Sequence, residues 1–351
     1  MTKHALAAAA ALLLAAGAAH AQTPDSAFAV SKSGQSLFRV NVDGGTTAGG
    51  TYDGDASGTG IPATGAGTRL MWYPRRAAFR AGAVGSTQWD AANVGTYSIA
   101  VGQDVRASGA NSVAFGLRSW ALAASSFAAG EDNTASGAAS VALGYHAHTN
   151  ARQGSFVFAD RSVAGAGEDT LRAGVNNSAS WRVNGGFRIF TSSNLSTGVT
   201  FQSGTVVSNW GQSAAVISTS TGAYLGTDGV WHDVSDANRK HLFADVSGED
   251  VLLRLRGLPV RSWTYRVDPD DVRHVGPTAQ DFFRTFRLGR DDATIAPVDE
   301  GGVALAGVKA LDARSLQQAR TIEEQGREIA ELRARLDRIE AALAAQAPSH
   351  P

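Results

Sequence analysis

Cysteine is absent from all 351 residues. Disulfides, thiolate metal sites and cysteine nucleophiles are thereby excluded. If the chain is exported, something other than disulfides must hold it, and oligomerisation is the obvious substitute. Charge is also scarce: 18% of residues are charged and the formal net charge is −1. A protein that neutralises phosphates carries a basic excess, so no nucleic-acid partner is expected. Long apolar runs are missing beyond the first residues, and none approaches the roughly 18 residues of a spanning helix, so no transmembrane segment is expected. There is no phosphate-binding glycine loop, no histidine cluster with metal spacing and no Gly-x-Ser-x-Gly elbow. Carboxylates are too sparse over 98–160 for a facing glycosidase pair. Asp53-Gly-Asp55 sits in a glycine-rich loop and reads as a solvated turn rather than a calcium site. No cofactor and no metal are expected.

The one apolar run is Ala5–Ala19, preceded by Lys3 and His4 and followed by Ala19-His20-Ala21. That pattern predicts a secretory signal peptide over 1–21. It implies export to the cell surface, the periplasm or the medium. A hydrophobic content of 43% is enough to build cores, and 40 glycines, most of them before residue 230, point to turn-rich β structure. Residues 22–97 read as a glycine-rich leader with a strand at Phe38–Val42. They end in an aromatic cluster of Met71, Trp72, Tyr73, Phe79 and Trp89, suited to capping the segment that begins at Ser98.

That segment is a repeat. Ser98-Ile-Ala-Val-Gly102 recurs from Ser112, Ser126 and Ser140, 14 residues apart each time, with a degenerate copy one residue late at Ser155. Fourteen residues suit two strands and two turns. Alternate residues point to opposite faces, giving one large apolar face (Ile99/Val101, Val113/Phe115, Val141/Leu143) and one small face of Ser, Ala and Gly. Stacked coils of this kind form a β-solenoid over 98–160. The repeat resembles the head of trimeric autotransporter adhesins. The resemblance implies a left-handed parallel β-roll that trimerises and displays a surface toward a host or glycan ligand of unknown identity. Those adhesins end in a membrane-embedded barrel, and no such segment is read here.

Residues 161–234 alternate in Trp181-Arg-Val-Asn and Phe187-Arg-Ile-Phe190, and read as a β-rich neck. Near Val230 glycine falls and charge rises. Ser247-Gly-Glu-Asp250 looks like a capping box for a helix over Asp250–Arg256. Arg261–Val267 reads as a half-buried strand with Trp263, Tyr265 and Val267 on one face. Pro277 suits the first turn of a helix that carries Ala279, Phe282, Phe283 and Phe286 inward and ends at Gly289. Over 308–345 the a positions are Val308, Ser315, Ile322, Ile329, Leu336 and Leu343, and the d positions include Leu311, Leu332 and Ile339. This is a coiled coil of two or three strands, with a single amphipathic helix as the alternative.

One pair of residues could carry chemistry. Ser235 lies five residues before Lys240 in Val234-Ser-Asp-Ala-Asn-Arg-Lys240. A lysine amine freed of its proton can activate a serine hydroxyl, but by itself the pair is almost uninformative and reads as a turn whose Ser or Asp caps the next element. The surrounding stretches narrow the choice. Ser235-Asp-Ala-Asn-Arg-Lys240, Val251-Leu-Leu-Arg-Leu, Leu258-Pro-Val, Trp263-Thr-Tyr265, Arg273-His-Val-Gly-Pro-Thr-Ala-Gln-Asp-Phe282 and Val298-Asp-Glu-Gly-Gly-Val-Ala-Leu305 together resemble the endosialidase-type intramolecular chaperone of phage tailspikes and tail fibres. The resemblance implies a small α+β domain, 235–307, that assembles a homotrimer. It also implies a Ser–Lys dyad that cuts the bond between Val234 and Ser235. Many members carry Arg two residues after the serine, where this chain has Ala237. His274, Gln280 and Asp281 are candidate site-lining residues, each with a structural alternative. The expected protein is mainly β: an exported trimeric fibre with a self-cleaving tail. The alternatives are a non-cleaving fibre with a permanent trimerisation module, and a prophage tail fibre.

Overall fold

The computed structural model describes residues 26–163, 170–204 and 210–346. The signal-peptide expectation for 1–21 lies outside the described residues. The chain divides into two compact units, Met1–Ser220 with Tyr224–Val230, and Thr221–Ala223 with Trp231–Pro351. The described residues are mainly β.

The first unit opens with an antiparallel sheet of β1 (Ser26–Lys32), β2 (Gln35–Asn41) and β3 (Thr46–Ala48). Ser33 and Gly34 join β1 to β2 with φ of 50° and 80°. Two successive left-handed residues make the tight turn whose twist matches that of the strands. The leader is thus more ordered than the sequence reading allowed, because Ser33-Gly34 is a hairpin signal between two alternating runs. The hairpin β4 (Gly67–Tyr73) and β5 (Ala78–Val84) comes next. It brings the buried Met71, Tyr73 and Trp89 together at one end of the repeat.

Each repeat unit contributes one long and one short strand. The long strands are β6 (Ile99–Gln103), β8 (Val113–Leu117), β10 (Phe127–Glu131) and β12 (Val141–Tyr145). The intervening short ones are β7 (Arg106–Ala107), β9 (Trp120–Ala121), β11 (Thr134–Ala135) and β13 (Ala147–His148). β14 (Phe156–Ala159), β15 (Leu171–Arg172) and β16 (Ala179–Arg182) continue the series. From β5 to β16 the long strands pair in parallel in one sheet, and the short strands form a second parallel sheet. This arrangement is consistent with a β-roll. It begins earlier and ends later than the 98–160 read from sequence, since Ala78–Val84 and Ala179–Arg182 join the same sheet.

The small face turns inward. Ala100, Ala114, Ala128 and Ala142 of the long sheet and Ala107, Ala121, Ala135 and Ala147 of the short one are all 0% exposed and share one core. Each repeat serine is buried and donates from Oγ to the carbonyl three residues earlier. Ser98 bonds Gly95, Ser112 bonds Gly109, Ser126 bonds Ala123, Ser140 bonds Gly137 and Ser155 bonds Arg152. Each bond closes a turn and contributes about 1 kcal/mol net. The large residues stand on the outer face of the long sheet, in two in-register rows. Phe79, Ile99, Val113, Phe127, Val141 and Phe156 form one, and Ala81, Val101, Phe115, Ala129, Leu143 and Phe158 the other. The unit closes with the antiparallel strands β17 (Phe187–Phe190), β18 (Gly198–Phe201), β19 (Ala215–Thr219) and β20 (Tyr224–Gly226).

The second unit contains β21 (Trp231–His232), a 3-10 turn at Ala237–Arg239, α1 (Gly248–Gly257), the antiparallel pair β22 (Arg261–Trp263) and β23 (His274–Gly276), α2 (Ala279–Phe286) and α3 (Pro297–Gln346). Ser247 caps α1 by accepting from the amide of Asp250, as the capping signature implied. α2 is capped by Thr278 rather than opened by Pro277. It stops at Phe286 because Arg287 turns left-handed, with φ 57°. The strand expected over Arg261–Val267 is cut short at Trp263: Tyr265 is 57% exposed and Val267 is 91% exposed. Val251 of α1, Phe282 of α2 and Val303 of α3 form the core. From Leu311 onward α3 leaves that core. Ile322, Ile329, Leu332, Leu336 and Ile339 all stand exposed along it. Among the described residues no helix is long and apolar enough to cross a membrane.

Candidate active site

Asp236 builds the local frame. Its side chain accepts from the amide of Asn238 and caps the 3-10 turn Ala237–Arg239, and the amide of Lys240 bonds the carbonyl of Ala237 at 3.0 Å. That single turn folds the five-residue spacing back on itself. Lys240 Nζ then donates to Ser235 Oγ at 2.7 Å. Both side chains are exposed in the single chain. The geometry is what a serine nucleophile and an amine base require.

Lys240 borders a cleft of about 430 Å³ lined also by Thr221, Ala223, Asp233, Val234, Asp236, Arg239 and Ala296–Val298; Ser235 lies between two lining residues and is not itself part of the lining. Val234 supplies the carbonyl on the upstream side of Ser235. Pro297 opens α3, and its neighbours Ala296 and Val298 form the apolar wall. Position 237 is only a methyl group, while Arg239, in the last turn before Lys240, lines the cleft. Thr221, Ala223 and Ala296–Val298 were not expected at this site. They lie far from Ser235 in sequence, and no spacing of residues joins them to it.

His274, Gln280 and Asp281 are absent from the cleft lining. His274 stacks on Trp263 at 4.7 Å between ring centres and meets Tyr265 edge-on at 5.3 Å. Its Nε2 is 3.8 Å from Asp268 Oδ2. Asp281 is buried at the start of α2, where it accepts from Thr278 Oγ1 at 2.9 Å and pairs with Arg284. The Thr278 hydrogen bond, with help from Arg284 and Arg261, holds its carboxyl below the usual carboxylate range although burial opposes this. Gln280 is exposed on α2. No group of three or more His, Cys, Asp or Glu side chains among the described residues could hold a metal ion.

One acidic pair departs from its sequence reading. Asp55 is 2% exposed rather than solvated. It accepts from the Tyr73 hydroxyl, from Ser57 Oγ at 3.0 Å and from the amide of Gly60 at 2.7 Å, and Arg75 pairs with it at 3.3 Å. Its lone pairs are consumed in tying the loop to β4, which leaves a structural role.

Comparison with known proteins agrees with this layout. Residues 235–287 match the family described as chaperone of endosialidase, so the C-terminal unit resembles that family over the dyad, α1, β22, β23 and α2. Residues 94–119, 107–130 and 121–147 match the YadA head domain repeat. No curated protein and no solved structure matches the chain. The chain is thus similar to a trimeric-autotransporter type of head repeat over 94–147 and to an endosialidase-type chaperone domain over 235–287.

Proposed function

We propose that the chain is an exported homotrimeric surface fibre whose C-terminal unit assembles the trimer and then detaches itself by cleaving before Ser235. The observation that carries this reading is the 2.7 Å hydrogen bond between Lys240 Nζ and Ser235 Oγ, inside the stretch that matches the chaperone family.

The chemistry is set by the position of the nucleophile. Ser235 stands directly after the bond that breaks, so its Oγ attacks the carbonyl carbon of Val234 while Lys240 takes the hydroxyl proton. The five-membered tetrahedral intermediate collapses by breaking the C–N bond, and Lys240 returns the proton to the departing nitrogen. The result is an ester between Val234 and Ser235 Oγ with a free α-amine on Ser235. Water then hydrolyses the ester to a Val234 carboxylate and restores the serine hydroxyl. An amine acts as base only without its proton, and burial favours that neutral form. Ser235 and Lys240 are exposed in one chain, so closure of the site by neighbouring copies would couple cleavage to assembly.

Two apolar rows support the trimer. One is the outer face of the long sheet and the other is the a/d stripe of α3, and both lack a cover within the described chain. A chaperone that pre-assembles three chains raises the local concentration of the slow-folding head. Its removal leaves a product that is kinetically locked. The same exposure of Ser235 and Lys240 supports a second reading, in which the dyad is idle and the tail stays as a permanent clamp. Intact mass of the full chain separates the two. Fragments ending at Val234 and starting at Ser235 support self-cleavage, and an uncut trimer supports the clamp.

A further inference from the structure

Gly222 lies between two residues of the cleft lining, Thr221 and Ala223, at a point where an added side chain would crowd two others. A Cβ built on its backbone would stand 2.8 Å from Cγ2 of Val234 and 2.9 Å from Nη1 of Arg239. Its φ of +94° independently favours glycine. Thr221 and Ala223 on either side line the cleft together with Val234, Arg239 and Lys240. The segment Thr221–Ala223 clusters with the C-terminal unit, although the residues before and after it belong to the other unit.

We propose that the Thr221–Ala223 loop is a positioning element for self-cleavage: a shelf at Gly222 that seats the Val234 side chain and limits how large residue 234 can be. This rests on the cleavage reading above. Attack by Ser235 Oγ on the carbonyl directly before it closes a five-membered ring, so the Val234 carbonyl must be rotated toward Oγ. Lys240 fixes the nucleophile from one side through its hydrogen bond. Contact between Val234 Cγ2 and the bare backbone of Gly222 fixes the electrophile from the other, by restricting rotation of residue 234. Arg239 rests on the same glycine and is bonded in sequence to Lys240, so one shelf aligns both partners. Misplacing reacting atoms by about 1 Å costs up to about 100-fold in rate, which makes a methyl group at this contact consequential.

The shelf also gives the reaction a direction. Thr221–Ala223 remain with the upstream product, whereas Arg239 and Lys240 leave with the downstream one. Departure of the C-terminal fragment dismantles the seat, and the new Val234 carboxylate is no longer held against Ser235.

The test monitors appearance of the Ser235–Pro351 fragment by intact mass, in the full chain and in Gly222→Ala, Val234→Ala, the double variant and Val234→Phe, with assembly checked by sedimentation. Gly222→Ala is expected to slow cleavage by about tenfold or more, and Val234→Ala, which gives up the same contact, to slow it as well. The double variant, in which the methyl added at 222 takes the place of the Cγ2 removed at 234, is expected to cleave faster than either single variant and to recover to within about threefold of the parent. Recovery separates a seating contact from backbone strain at φ +94°, which the double variant retains. A parent rate in Gly222→Ala, or a double variant as slow as Gly222→Ala, would overturn the proposal. If Gly222→Ala does not assemble, Val234→Phe decides on an unaltered loop. A loss of about tenfold is expected, and an unchanged rate would overturn the shelf. A parent chain that never cuts removes the cleavage reading itself and this inference with it, an outcome distinct from cutting that ignores residues 222 and 234.

Discussion

Ala114 is wholly buried, and Phe115, the next residue, is 37% exposed. The period of two in a strand sends one to each face, and the larger side chain faces outward. At the repeated inner positions the core is filled by the methyl groups of Ala100, Ala114, Ala128 and Ala142, and the large apolar residues of the same strands stand in rows on the outside. A contiguous apolar face of this kind marks an interaction surface. Phe115→Lys is therefore expected to leave the coil intact by circular dichroism and to dissociate the assembled head in sedimentation velocity. Ala114→Leu is expected to act the other way, over-packing the interior and destabilising the coil by about 1–3 kcal/mol. An unchanged oligomer with Phe115→Lys would remove the outer row from the interface.

Gly116 and Ser126 test the logic of the repeat. A Cβ on Gly116, whose φ is +100°, would press on the carbonyl oxygen of Gly130 in the next coil. Gly116→Ala is expected to abolish cooperative folding of the roll, because neither backbone can withdraw without breaking the sheet. Ser126→Ala loses one buried hydrogen bond to Ala123 O, an acceptor that keeps the longer bond from the amide of residue 126 at 3.3 Å, a cost of about 0.5–1.5 kcal/mol. Thermal denaturation of the two variants should differ in kind: loss of the transition in the first, a shifted midpoint in the second.

The repeat was legible because Ser, Ala and Gly recur at fixed spacing, each for its own physical reason: turn closure, interior volume and inter-coil approach. Its outer limits were not. The strand Ala78–Val84 carries Arg80 where β6, β8, β10 and β12 carry alanine. Arg80 is nonetheless 0% exposed, and its guanidinium donates to Phe79 O, Ser98 O, Ser98 Oγ and Ala107 O. A cation in a sequence reads as surface until the carbonyls that receive it are known. Ser235 and Lys240 were singled out by the resemblance of the stretches around them and not by their spacing, and a single capped turn sets their side chains 2.7 Å apart. Gly222 and Ala296–Val298 reach the same cleft through tertiary packing, which no spacing in the sequence encodes. His274, Gln280 and Asp281 lie inside one of the stretches that carry the resemblance; His274 packs on Trp263 and Tyr265 and faces Asp268, and Asp281 pairs with Thr278 and Arg284.

The head is expected to lose stability at both ends of the pH scale through Asp55 and Tyr73. The Tyr73 hydrogen bond, ahead of Gly60, Ser57 and Arg75 and against burial, holds the Asp55 carboxyl below its usual value. Its contribution is fully present above about pH 4, the unfolded value, and is lost as pH falls through the lower folded value. Burial, then the Asp55 hydrogen bond and charge, push the Tyr73 hydroxyl from 10.0 up to about 12. That contribution is present below pH 10 and is lost as pH rises from there toward 12. Melting temperature against pH should show both flanks, with Asp55→Asn flattening the acid one and Tyr73→Phe the alkaline one.

Ile329 is 51% exposed on a stripe of α3 along which Ile322, Leu332, Leu336 and Ile339 are exposed as well. Burying such a side chain between helices contributes about 1.5–3 kcal/mol per copy, and a charge there would oppose association. Ile329→Asp is expected to leave the fold of the C-terminal unit unchanged and to shift the full chain from trimer to monomer in sedimentation equilibrium. Fragment release should fall with it if assembly closes the dyad. Persistence of the trimer would place the assembly determinant elsewhere.

The most direct test of self-cleavage is the intact mass of the purified full chain beside its Ser235→Ala and Lys240→Ala variants. The expected result is a parent split between Val234 and Ser235 and two variants that stay whole while remaining trimeric. A parent that stays whole, or variants that split at the same bond, would contradict it.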